Sequence, residues 1–156
     1  MIGSCMKRPA ISVAPSATVQ EAARLVVVHH IGTLPVVDTL GLLVGVVRLE
    51  DLLQVFMPDF VALMDNIDFV HDFGVLETLR PQDVRAAVRL IMRDLMQPPV
   101  AVEETCGLLR ALATMSRHDI RDLPVVDKAG ALVGIASRVD IAAAFFTPWV
   151  QTEPPT

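Results

Sequence analysis

The pentapeptide Leu34-Pro35-Val36-Val37-Asp38 returns as Leu123-Pro124-Val125-Val126-Asp127 in a chain of 156 residues. Extended outward, HHIGTLPVVDTLGLLVGVVRLED aligns without a gap on HDIRDLPVVDKAGALVGIASRVD. His29, Ile31, Pro35, Asp38, Gly41, Gly45 and Asp51 thereby map onto His118, Ile120, Pro124, Asp127, Gly130, Gly134 and Asp140. This is internal duplication. Two copies predict a paired module, since a solenoid needs about three or more.

Each copy predicts the same order of elements. Thr18 and Glu21 make a T-x-x-E capping box, and Ala22, Leu25, Val26 and His29 then line one helix face. Pro35 bars a helix and the β-branched Val36-Val37 favours a short strand. Gly41 turns the chain into a second strand, Leu42 to Val47, whose unbroken apolar run suggests burial on both faces. Leu49 to Phe56 reads as a short helix ended by Pro58. The unit is strand, helix, strand, strand, helix, and a hairpin with two helices cannot close a core alone. The expected fold is α+β: two β-α-β-β-α units packed with pseudo-two-fold symmetry and joined by a helical insert. The boundaries expected are 1–57, an insert 58–94, 95–147 and a tail 148–156.

In the insert, Pro81 suits a first helical turn. Val84, Ala87, Val88, Ile91, Met92 and Leu95 predict a long helical stripe. Arg85, Arg89 and Arg93 form a second stripe, read as a solvated face, with phosphate or partner contact as the other reading. From Pro58 to Leu79 there are five acids and no Lys or Arg, which accounts for the net charge of −5. Asp65, Asp68, His71 and Asp72 read as a solvated acidic face, without a recognised metal-ligand frame.

Composition narrows the classes. A net negative chain argues against non-specific nucleic-acid binding, which depends on Lys and Arg neutralising phosphates. The chain is 53% hydrophobic, yet no apolar run nears the roughly 18 residues of a membrane span. MIGSCMKRPAISVAPS lacks a signal-peptide h-region, so a cytoplasmic location is expected. Cys5 and Cys106 have no CxxC spacing and read as reduced, inert thiols. His29 and His118 fall late in their helices, where positive charge suits the dipole. No P-loop, G-x-G-x-x-G or H-E-x-x-H motif is present, and nothing predicts an enzyme.

The doubled pattern h-x-x-LPVVD-x-x-G-x-LVG-h-h-(S/T)-x-x-D resembles a tandem pair of CBS domains, over roughly residues 6–56 and 95–146. The resemblance implies a compact regulatory pair that commonly dimerises, here a homodimer. It also implies adenosine-containing ligands (AMP, ADP or ATP, possibly S-adenosylmethionine or NAD) in clefts between repeats. The aspartate opening the last helix of a repeat, Asp51 or Asp140, would hold the ribose hydroxyls. The hydroxyl residue three earlier would contact phosphate: Ser137 in repeat two, but Arg48 in repeat one. Adenine would lie against main chain at Ile11-Ser12 or Val100-Ala101. It would also meet the segment before the proline, Ile31, Thr33, Leu34 and Pro35, or Ile120, Arg121, Asp122, Leu123 and Pro124. Arg121 and Asp122 stand where the family often has small residues.

Elementary chemistry supports such a site: a carboxylate accepts both vicinal hydroxyls, and helix N-terminal N–H groups favour phosphate. Ser137-Arg138-Val139-Asp140 supplies hydroxyl, cation and carboxylate in one turn, yet S-x-x-D is equally an ordinary capping box. Repeat two, with Ser137, Arg138 and Asp140 grouped with Val100 to Pro124, is therefore expected to form the stronger site. Arg48 and Asp51, grouped with Ile11 to Pro35, would form the weaker. No effector domain is evident, so the reader of the signal is expected to be an unknown partner protein in trans. The alternative is a ligand-free interaction scaffold with vestigial clefts.

Overall fold

The computed structural model describes residues 1–56 and 89–151. The acidic segment, Arg85 and the start of the apolar stripe lie outside the described residues.

The repeated pentapeptide is the first strand of a hairpin and the hinge of its turn. In repeat one, β1 (Thr33–Val37) pairs antiparallel with β2 (Leu43–Arg48), with Leu34 opposite Val47 and Pro35 opposite Val46. In repeat two, β4 (Asp122–Val126) and β5 (Leu132–Ser137) keep the same register. Leu34, Pro35 and Val36 are buried, as are Leu123, Pro124 and Val125. The closing aspartate is a turn device. Asp38 Oδ1 accepts the N–H of Leu40 and of Leu42 at 2.9 Å, and Asp127 does the same for Ala129 and Ala131. Gly41 (φ 81°) and Gly130 (φ 86°) take the left-handed conformation that completes each turn.

Helices flank the hairpins. α1 (Val19–His29) starts at the Thr18/Glu21 capping box, with Thr18 N–H donating to Glu21 at 2.7 Å. α2 (Leu49–Gln54) follows β2, and Phe56 falls in a turn beyond it. After α3 (Met92–Leu95) and β3 (Val102–Glu103), α4 (Leu108–Arg117) and α5 (Arg138–Val150) occupy the positions of α1 and α2. The leading strand of each repeat is short. β3 runs parallel to β4, and in repeat one only Val13 bridges Val36.

The two cores are completed crosswise. Met92, just ahead of repeat two, is buried with Val13, Val19, Ala22, Leu34, Val47 and Leu52 of repeat one. Ile2, ahead of repeat one, is buried with Met115, Ile120, Leu123, Ala136 and Ile141 of repeat two. The crossing segments then pair with the opposite hairpin. Gln97 and Val46 exchange backbone hydrogen bonds at 2.8 and 3.0 Å, and Lys7 and Ile135 do so at 2.8 and 3.2 Å. Glycine is required beneath them: a Cβ on Gly45 would lie 2.6 Å from Met96 Sδ, and one on Gly134 2.6 Å from Met6 Sδ. The hairpin tips also bond each other, Leu43 N–H to Gly130 O and Leu132 N–H to Gly41 O, both at 3.1 Å.

This crossing corrects the expected insert helix. The stripe through Ile91, Met92 and Leu95 is not one helix, because Ile91 is extended (φ −118°, ψ 167°) and bridges Thr18. Met92 and Arg93 donate to Ala17 O and Pro15 O, which holds the chain on repeat one before the single turn of α3. Each core draws residues from both sides of a sequence boundary, Met92 joining repeat one and Ile2 joining repeat two. Finally, α5 continues through Pro148 to Val150, into the stretch expected as a tail.

The crossed cores make a direct prediction. Ile2→Ala and Met92→Ala should each destabilise the fold by about 2–5 kcal/mol, the range for truncating a buried aliphatic side chain. Urea denaturation measures this. If Ile2 were part of a loose terminus, its truncation would stay within about 0.5 kcal/mol.

Candidate functional site: two crossed clefts

Crossing the entry segments opens two related clefts. The first encloses about 360 Å³ and is lined by Arg48, Glu50 and Asp51 of repeat one facing Val100, Asp119, Ile120, Arg121 and Asp122 of repeat two, with Gln97 and Pro98. The second, about 260 Å³, sets Ser137, Asp140 and Ile135 of repeat two against Ile11, His30, Ile31 and Thr33 of repeat one, with Lys7 and Pro9. Matching positions recur in both: Asp51 with Asp140, Arg48 with Ser137, Val100 with Ile11, Ile120 with Ile31, Asp119 with His30. Asp119 (φ 47°) and His30 (φ 52°) even share a left-handed backbone.

The structure thus regroups the residues expected from sequence. Asp140 and Ser137 share a cleft with Ile11, Ile31 and Thr33, and Asp51 and Arg48 share one with Val100, Ile120, Arg121, Asp122 and Pro124. The physical reason is the antiparallel hairpin. It puts the start of β1 and the end of β2 side by side, so the cleft beside each helix start is walled by the other repeat. Leu34, Pro35 and Leu123 are buried in or behind the cores and line neither cleft, and Ala101 also lines neither. Ser12 opens onto a separate depression with Arg93 and Thr39.

A second correction concerns Arg138. Its guanidinium donates to Ile120 O at 3.1 Å and Met115 O at 3.2 Å, closing the end of α4, so it offers no charge to the cleft. The cation beside Asp140 is instead Lys7, 3.6 Å from Oδ1. Ser137 and Asp140 form a complete capping box: Asp140 Oδ2 accepts from the Ser137 N–H (2.8 Å) and hydroxyl (2.6 Å), and the Asp140 N–H donates back at 3.1 Å. At the other helix start a guanidinium has no lone pair to accept with, so only the Arg48 N–H to Asp51 bond remains, at 2.8 Å.

Between the clefts stands one hydrogen bond. Thr33 Oγ1 donates to Asp122 Oδ2 at 2.8 Å. The two residues are equivalent positions of the two repeats, and both line both clefts.

Partial burial alone would raise the Asp140 pKa, but the two Ser137 hydrogen bonds and the charge of Lys7 outweigh it and hold the carboxyl below its usual range. The same carboxylate, after burial itself, raises the Cys5 thiol.

Sequence reading missed Lys7, Gln97, His30 and Asp119. A signal existed for the first pair: Met6-Lys7-Arg8-Pro9 matches Met96-Gln97-Pro98-Pro99 at an offset one residue longer than the main repeat, so a gapless alignment passes over it.

Comparison with known proteins agrees with this architecture. The profile described as "CBS domain" matches residues 2–58 and 83–147. The chain belongs to the CBS-domain family, and its two repeats form a CBS pair. It is 34% identical over 140 residues to the chloroplastic CBS domain-containing protein CBSX1 of Arabidopsis thaliana, covering 85% of this chain and 57% of that one. With CBSX2 of the same plant the identity is 31%, over 90% of this chain and 60% of that one. The chain therefore spans less than two thirds of the length of either relative. Among solved structures, CBSX2 in complex with AMP superposes with a TM-score of 0.70 at 30% identity, over 95% of this chain and 97% of that one. The CBS pair of MJ0100, in complex with 5'-methylthioadenosine and S-adenosyl-L-methionine, shares the fold (TM-score 0.70, 21% identity, 95% and 97% coverage).

The depressed Asp140 pKa predicts a pH signature. Its contribution to stability should be complete above the unfolded carboxyl value of about 3.9 and disappear as pH falls through the lower folded value. The stability gap between wild type and Asp140→Asn should accordingly be widest near neutrality and shrink in acid. A gap independent of pH, in urea melts across that range, would count against the charged capping role.

Proposed function

We propose that this CBS pair is a regulatory module that binds adenosine-containing ligands in its two clefts and signals their presence to a partner protein in trans. The observation that carries the reading is the matched construction of the clefts. Each opens at a helix start bearing an aspartate and faces main chain beside two aliphatic residues of the other repeat. The carboxylate is an acceptor for vicinal ribose hydroxyls. Ile11 and Ile31, or Val100 and Ile120, supply apolar walls for a flat base. That CBSX2 has been crystallised with AMP supports the same choice of ligand. Catalysis forms no part of this reading.

The scaffold alternative draws on one observation: the Ser137/Asp140 box is satisfied without a ligand. Ligand-induced stabilisation separates the two. An adenosine ligand at a hundred times its dissociation constant should add about 2.7 kcal/mol, raising the melting temperature by roughly 5–11 °C. The Asp51→Ala/Asp140→Ala double variant should lose that rise. Because Asp140 also caps α5, the variant starts lower by about 1 kcal/mol, so the ligand-induced shift is what must be compared. No shift in the wild type with AMP, ADP, ATP, NAD or S-adenosylmethionine would favour the scaffold.

A homodimer belongs to the same proposal. Phe146 is 59% and Trp149 77% exposed on α5, beside a half-exposed Phe145, and Leu53 of α2 is 51% exposed. Such aromatic surface is unusual for a free monomer. No described helix is long and apolar enough to cross a membrane, and the free thiols Cys5 and Cys106 suit a reducing compartment such as a cytoplasm. Light scattering should return about twice the 16.9 kDa chain mass, and Trp149→Ser with Phe146→Ser should shift it toward one chain. A monomer at tens of micromolar would overturn the dimer.

A further inference from the structure

Two of the differences between the repeats at cleft-lining positions introduce an arginine, and both meet in one cleft. Arg48 stands where repeat two has Ser137, and Arg121 stands where repeat one has Gly32. Crossing brings Arg48 of one repeat and Arg121 of the other into the Asp51 cleft, while the Asp140 cleft has Ser137 and, bordering both clefts, Gly32. Neither guanidinium has a hydrogen bond or ion pair with the described residues. By contrast, Lys7 of the Asp140 cleft already faces Asp140. Resting on the adenosine binding proposed above, we infer that the Asp51 cleft is specialised for an adenosine di- or triphosphate, and that Arg48 and Arg121 select it by holding its extended phosphate chain.

The chemistry of the cleft fits that ligand. Two planar guanidinium forks can each grip phosphate oxygens in pairs, which a hydroxyl and a glycine cannot do. Approaching from different repeats, they suit a chain with more than one phosphate rather than a single terminal group. The cleft is also the roomier of the two, about 360 against 260 Å³. Its acids have separate places. Asp51 opens α2 for the ribose, Asp122 is bonded to Thr33, and Glu50 and Asp119 are exposed. Nucleoside polyphosphates carry magnesium, which is commonly held by one or two carboxylates together with phosphates, so acids at the rim complement such a ligand.

The test is calorimetric titration of the full chain with AMP, ADP and ATP in magnesium buffer at one fixed ionic strength, because charge contacts are screened by salt. Wild type should bind ATP and ADP more tightly than AMP. Arg48→Ser and Arg121→Gly install residues the other repeat already carries, and melting without ligand verifies that they fold. Each should weaken ATP by about tenfold or more, as expected for a charge-assisted hydrogen bond, with a much smaller change for AMP. Asp51→Ala should remove the ATP preference, whereas Asp140→Ala should keep it. Equal weakening of AMP and ATP in the arginine variants, or ATP no tighter than AMP in the wild type, would overturn the inference while leaving adenosine binding intact. Absence of binding by any of the three would overturn both.

Discussion

An antiparallel hairpin with a helix on either side leaves an apolar face that its own sequence cannot cover, and the whole structure follows from how that face is closed. Here the cover comes from the other repeat's entry segment: Met92 fills one core and Ile2 the other. The close approach of Met96 to Gly45 and of Met6 to Gly134 brings the crossing strands near enough to pair with Val46 and Ile135. Hydrophobic burial and backbone hydrogen bonding thus act on the same few residues. Neither half is complete alone.

The clefts are by-products of that closure. Because the entry segment crosses, the main chain leading into each repeat lies beside the helix start of the other, and a pocket forms where four segments converge without filling the space. Lys7 and Gln97 occupy corresponding cleft positions because they sit on the crossing strands. Fold stability and site geometry are therefore bound together.

The hairpins were legible in the sequence because their information is local: a proline followed by a β-branched pair, and an aspartate and a glycine at fixed turn positions. The Thr18/Glu21 and Ser137/Asp140 boxes were legible for the same reason. What escaped was long-range. Nothing within the stretch from Val84 to Leu95 indicates that Ile91 must extend to reach Thr18, because helical periodicity carries no knowledge of what lies across the core. The site residues were found mostly one by one, yet assigned to the wrong partners, since repeat membership in sequence suggested repeat membership in space. Arg138 shows a further limit. A cation next to a candidate phosphate site reads as a ligand, but the carbonyls of Met115 and Ile120, at and just beyond the end of α4, claim it first.

The hydrogen bond from Thr33 to Asp122 has a bearing on the history of the molecule. A duplicated gene begins with two identical halves, and at a position on the symmetry axis each residue confronts its own copy. Two aspartates there would repel, and two threonines would leave the partition without a charged acceptor. A threonine facing an aspartate gives the charged acceptor its donor, and that pairing requires the copies to differ, one carrying threonine and the other aspartate. Once that has happened the halves are no longer interchangeable. The chain behaves as a tethered heterodimer of its own two parts, in which each half is free to acquire features, such as Arg48 and Arg121, that an obligatorily symmetric pair would have to bear twice.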